Sequence, residues 1–125
     1  MADEATTKEH LKQRTKDFAV RIIHVFRALP DARDAQVIGN QLLRCGTSVG
    51  ANYRAACRAR SRADFINKLG IVVEEADETI FWLELLVETK VVPAGRLDPL
   101  LQEAHELTAI FTAARATSRS GRNEI

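Results

Sequence analysis

From Phe65 to Leu86 the residues Phe65, Leu69, Val72, Ala76, Thr79, Leu83 and Leu86 follow one another at alternating intervals of four and three. Only a helix gathers positions so spaced onto one face, because its turn of about 3.6 residues returns a side chain to the same side every three or four positions. A second stripe, Ile66, Val73, Ile80 and Val87, recurs every seven residues and widens that face. The combined face is too broad for a two-stranded coiled-coil seam and suits a helix that touches two neighbours, as in a bundle.

The same spacing organises the rest of the chain. Leu11, Thr15, Phe18, Ile22, Val25 and Leu29 define a helix expected over 7–29, with Thr6 and Glu9 in the positions of a capping box and Pro30 ending it. Ala35, Ile38, Leu42, Cys45, Val49, Asn52 and Ala56 define a second over 32–58, for which Asp31 is the expected cap. The third, over 62–90, is capped by Ser61 with Asp64 three residues on. VVPAGRLDP reads as a loop, Asp98 as a cap and Pro99 as the first residue of a fourth helix over 99–117, with Leu100, Ala104, Leu107, Phe111 and Ala114 as its seam. Residues 118–125 lose the pattern and are expected to fray. The 125 residues, 46% of them hydrophobic, suit one domain with a single core. The expected fold is all-α, an antiparallel up-and-down four-helix bundle.

The second helix holds the chain's weakest helix formers. Each interior glycine costs roughly 1 kcal/mol, yet the periodicity runs straight through Gly39, Gly46 and Gly50. Missing side chains there allow close packing of a neighbouring helix, or close approach of a ligand or partner chain. Ser48 and Asn52 lie one turn apart, with Asn52 on the seam. They are read as a structural polar core, since a buried Asn must be hydrogen-bonded and then fixes helix register.

Charge is balanced in sum, at a formal +1, but not in place. Arg44, Arg54, Arg58, Arg60 and Arg62 have no acid between them, and Glu74, Glu75, Asp77, Glu78, Glu84 and Glu88 have no base between them. Two uses fit the arginines equally. They neutralise phosphates and release counterions, or they pair with the acidic helix, within the chain or on a neighbouring subunit. Arg115, Arg119 and Arg122 add to the basic end if the ends of the chain meet it. Phe65 is the one aromatic near the cluster and belongs to the seam, so stacking of bases on an aromatic platform has little support.

Catalytic constellations are not legible. His10, His24 and His105 are scattered without metal-ligand spacing, no Glu-x-x-His motif occurs, and GTSVG lacks the Lys-Ser/Thr that follows in a phosphate loop. No catalytic residue, metal, cofactor or small-molecule substrate is expected. No apolar run approaches the roughly 20 residues of a membrane span, and MADEATTKEH lacks the features of a signal peptide. Cys45 and Cys57, twelve residues apart on one helix, stand roughly 18 Å from each other and cannot form a disulfide. Free thiols fit a reducing compartment, and the expected location is the cytoplasm, away from any membrane.

QLLRCGTSVGANYRAA, DFINKL and EEADETIFWLELL resemble, from about Phe18 to Val87, the bacterial four-helix-bundle proteins named for intervening sequences in 23S ribosomal RNA genes. Gln41 to Arg44 match the family's Gln-Leu-Leu-Arg, and Ser48 and Asn52 its Ser, three residues, Asn. Cys45 stands where serine or alanine is more usual. The resemblance implies an antiparallel four-helix fold and a ring-like homopentamer. That family includes the accessory protein of diversity-generating retroelements, which binds nucleic acid and a reverse transcriptase. A reverse transcriptase is therefore a partner only if this chain is such an accessory. The expected function is a non-enzymatic homo-oligomer that binds RNA or DNA with low specificity through Arg44, Arg54, Arg58, Arg60 and Arg62. The alternative is a protein-interaction or scaffold module whose arginines contact another subunit or partner.

Overall fold

The computed structural model describes residues 4–121, with side chains from Thr7 onward. The described residues form four helices and no strand: α1 (Glu4–Ala28), α2 (Arg33–Cys57), α3 (Arg62–Glu88) and α4 (Ala94–Arg119). α3 starts as its cap requires, the Ser61 side chain accepting a hydrogen bond from the Asp64 amide at 3.1 Å.

Four expectations at helix ends are corrected. α1 is already helical at Glu4, so Thr6 lies within its first turn and does not cap it. The cap of α2 is Ala32, not Asp31, and its side chain offers no bond; in the first turn the Asp34 carboxylate accepts from the Ala35 amide at 2.8 Å. α4 begins at Ala94, with Pro93 as its cap and Pro99 inside it. Pro99 lacks the N–H that would bond the Gly95 carbonyl, a loss the burial of Leu97 and Leu100 on either side offsets. The tail expected to fray remains helical through Arg119, because Ser118 continues the seam and is buried. Residues 122–125 of that expected tail lie outside the described residues.

Consecutive helices pack on one another, whereas α1 and α4 meet only sparsely. Along α2 the contacts run from Gly39 against Leu29 and Phe26, through Gly46 against Ile22, to Gly50 against Thr15. They descend α1 as they ascend α2, as two helices of opposite direction must. Phe18, Ile22, Leu42, Val49, Tyr53, Leu69, Leu83, Leu107 and Phe111 are the large side chains at the centre, each contributing about 1.5–3 kcal/mol by leaving water. Tyr53 and Phe111 touch with ring centroids 5.0 Å apart. Thr15 and Thr79 are buried too, their hydroxyls donating to the Leu11 and Glu75 carbonyls at 2.8 and 2.7 Å.

A polar clasp bridges α1 and α4. Arg14 donates from Nε and Nη2 to both oxygens of Glu103, at 2.7 and 2.8 Å, and from Nη2 to Glu106 at 2.7 Å. No helix among the described residues is long and apolar enough to cross a membrane.

Candidate nucleic-acid interface

The chain reverses between α2 and α3 in four residues, and arginine occupies much of that turn. α2 ends at Cys57, where the Arg58 amide bonds back to the Ala55 carbonyl at 3.1 Å and the Ala59 amide to Ala56 at 3.0 Å. Arg58 and Arg60 project from the turn, Arg62 opens α3, and Arg54 precedes them by one turn; all four are exposed. Arg54 and Arg58 sit at the negative end of the α2 dipole, which favours cations. Arg62 stands at the positive end of α3, where Asp64 offsets it. A 2.6 Å hydrogen bond from Lys68 holds the Asp64 carboxyl below its ordinary range, so it stays ionised.

The far end of the chain arrives at the same place. Arg115 of α4 donates from Nε to the Ile66 carbonyl of α3 at 3.3 Å. Its guanidinium lies where residue 70 would carry a side chain: a Cβ on Gly70 would be 3.1 Å from Arg115 Nε and 3.3 Å from its Cζ. Beyond the end of α4, Gly121 takes a positive φ of 87°, and a Cβ there would be 3.7 Å from Arg62 Nη1. The end of α4 thus lies beside the start of α3, and two sets of arginines distant in sequence share one end of the bundle. Between α3 and α4 runs an open groove of about 610 Å³ lined by Ala63, Asp64, Ile66, Asn67, Arg115 and Arg119. Arg122 lies outside the described residues.

Arg44 does not join this group. Fourteen residues before Arg58, it is roughly 21 Å away along α2. It pairs instead with α3, Nη2 standing 3.4 Å from Glu78 Oε2 and 3.2 Å from Gln41 Oε1. Glu78 also accepts from Trp82 Nε1 at 3.2 Å. The neighbouring Glu75 has one carboxylate oxygen shielded from solvent and bonded to no donor among the described residues. Burial, then the charge of Glu78, raises its pKa above the ordinary value, against the opposing pull of Arg44.

Ser48 and Asn52 are not a buried polar core. Both are half-buried, and Asn52 Nδ2 donates to the Ser48 carbonyl at 2.9 Å, within its own helix. Tyr53, one position on, fills the seam, and the buried polar side chains on the α1 and α3 seams are Thr15 and Thr79. Gly39, Gly46 and Gly50 all face α1, not an open surface.

Sequence reasoning missed Gly70 and Asn67 altogether. The available signal was Gly70 in the middle of an otherwise strong helix, which marks a position where something must approach the backbone. Among the described residues no group of His, Cys, Asp and Glu could hold a metal ion.

Comparison with known proteins adds to this geometry. The family described as 23S rRNA-intervening sequence protein matches residues 8–113. Among solved structures, the chain is similar to a protein of unknown function from the S23 ribosomal protein family of Bacteroides thetaiotaomicron VPI-5482. The two are 38% identical with a TM-score of 0.82, the alignment covering 88% of this chain and 98% of that one. No curated protein matches.

Proposed function

The chain belongs to the 23S rRNA-intervening sequence protein family, and from that membership we propose that it is a non-enzymatic, homo-oligomeric bundle that binds RNA or DNA with low sequence specificity. Its four helices run antiparallel, up and down, as the descending contacts between α1 and α2 support. Arg54, Arg58, Arg60 and Arg62 make the phosphate contacts, joined by Arg115 and Arg119. Arg44, held by Glu78, lies at the margin.

The observation that carries this reading is the convergence of two arginine sets on one exposed end of the bundle, where each phosphate contact releases counterions. Self-association draws support from Val37 and Phe81, which are 57% and 51% exposed despite their size. The family resemblance favours a pentamer, and the chemistry needs no compartment other than the cytoplasm.

One observation favours the rival reading of a scaffold whose arginines contact acidic helices of other subunits. Arg44 already pairs with Glu78 of α3 inside the chain. Fluorescence anisotropy of labelled structured RNA and duplex DNA, over a salt series from about 50 to 200 mM, separates the two. Steep weakening with salt supports phosphate binding; no binding at the lowest salt replaces it with the scaffold.

A further inference from the structure

The groove between α3 and α4 has a feature that phosphate contact alone does not require. Arg115 is held flat. The Ile66 carbonyl fixes its Nε, and the absent side chain of Gly70 lets the guanidinium rest against α3. A fixed guanidinium plane is a surface on which a nucleobase stacks, in place of an aromatic ring. Arg119, one turn further along α4, stands exposed on the same groove, in reach of the phosphate of a base so placed.

The opposite wall carries groups that read base edges. Asn67 is exposed and offers an amide with donors and an acceptor, and Asp64 offers an ionised carboxylate. Such side chains also read the outer edges of paired bases, so the decisive group is Arg115. In a continuous duplex both faces of each base are covered by its neighbours, and a base that lies flat on the Arg115 guanidinium has left its helix. The groove, at about 610 Å³, is within the range of sites that hold small organic groups.

We propose that this groove holds one unpaired nucleotide, stacked on Arg115 and hydrogen-bonded by Asn67, so that the basic end prefers strands with a bulged base to continuous duplex. Arg58, Arg60 and Arg62 then contact the flanking phosphates. The proposal rests on the nucleic-acid reading above and adds a ligand class to it.

The test uses two labelled RNA hairpins that differ only by one bulged nucleotide, titrated by anisotropy with the full chain and with Gly70→Ala, Asn67→Ala and Arg115→Lys. The wild-type protein should bind the bulged hairpin about tenfold more tightly, the scale of one stacked base. Gly70→Ala adds a good helix former, and its methyl group, 3.1 Å from Nε, makes Arg115 shift by a few tenths of an ångström. It should weaken the bulge preference more than the affinity for the paired hairpin. Arg115→Lys keeps a charge for the phosphate contact and loses the plane, so the ratio of bulged to paired affinity should fall towards one. Equal wild-type affinity for the two hairpins overturns the proposal while the phosphate-binding reading stands. A bulge preference that survives all three substitutions also overturns it, and failure to bind either hairpin overturns the underlying reading itself.

Discussion

Gly46 and Ile22 are packed to the limit of contact: a methyl group on Gly46 would lie 2.7 Å from Ile22 Cγ1 and 2.8 Å from Cγ2. Ile22 is fully buried, and both atoms are next to its backbone, so it cannot swing aside. Gly46→Ala is expected to cost about 1–3 kcal/mol by overpacking, even after the gain in helix propensity. At Gly39 the closest atom is Cδ1 of Leu29, the end of a flexible, half-buried side chain, so Gly39→Ala should be close to neutral. Urea midpoints of the two variants provide the comparison, and equal losses would show that the tight contact at Gly46 is not the cause.

Glu75 sets a pH dependence. Its carboxyl titrates above the ordinary 4.5 because burial, then Glu78, disfavours the charge. The folded protein therefore binds that proton more tightly than the unfolded chain, and stability falls as pH rises from the unfolded pKa through the folded one. Glu75→Gln should raise Tm at neutral pH and lose that advantage as the pH falls into the ordinary carboxylate range. A gain of the same size at both pH values would exclude the charge as its source.

The two thiols differ in access. Cys45 is fully buried, its Sγ is 3.3 Å from Thr79 Oγ1, and burial pushes its pKa up to about 11. Cys57 is half-buried at the end of α2. A thiol reagent at pH 8 should modify Cys57 in the folded protein and reach Cys45 only on unfolding. Mass spectrometry of the native adduct reads this directly, and equal labelling would mean that α2 and α3 separate in the native state.

Reversing the charge at Arg58, Arg60 and Arg62 to glutamate distinguishes the two functional readings. The expected result is loss of RNA and DNA binding with the oligomer retained, since these side chains are exposed and leave the core untouched. Light scattering on the same sample checks assembly. A disassembled variant, from a parent that never bound nucleic acid, would transfer the arginines to a subunit contact.

The three-and-four spacing was enough to place Leu11, Phe18, Ile22, Leu42, Val49, Leu69, Leu83, Leu107 and Phe111 in the core, because burial follows helical phase. It misassigned Asn52, since intervals of four and then three from Val49 reach Tyr53 and Ala56 as readily as three and then four reach Asn52 and Ala56, and the larger apolar residue wins the interior. The start of α4 was hidden by Pro93, Gly95 and Pro99, each a breaker in isolation, whereas Pro93 in fact caps the helix. At the candidate site the arginines of the α2–α3 turn were legible as a run. Their meeting with Arg115 and Arg119 was not, because it depends on α4 ending beside the start of α3, a tertiary fact that no local pattern carries.

The sparse meeting of α1 and α4 bears on how quickly the chain reaches its structure. Most of the packing joins each helix to the next along the sequence, so little loop entropy is lost before a contact forms, and chains of this kind fold in microseconds to milliseconds. The first and last helices are linked by Arg14 to Glu103 and Glu106, an ion-pair bridge sensitive to salt in a way that the apolar seams are not. That side of the molecule is therefore expected to be the last to close during folding and the first to part when the structure opens.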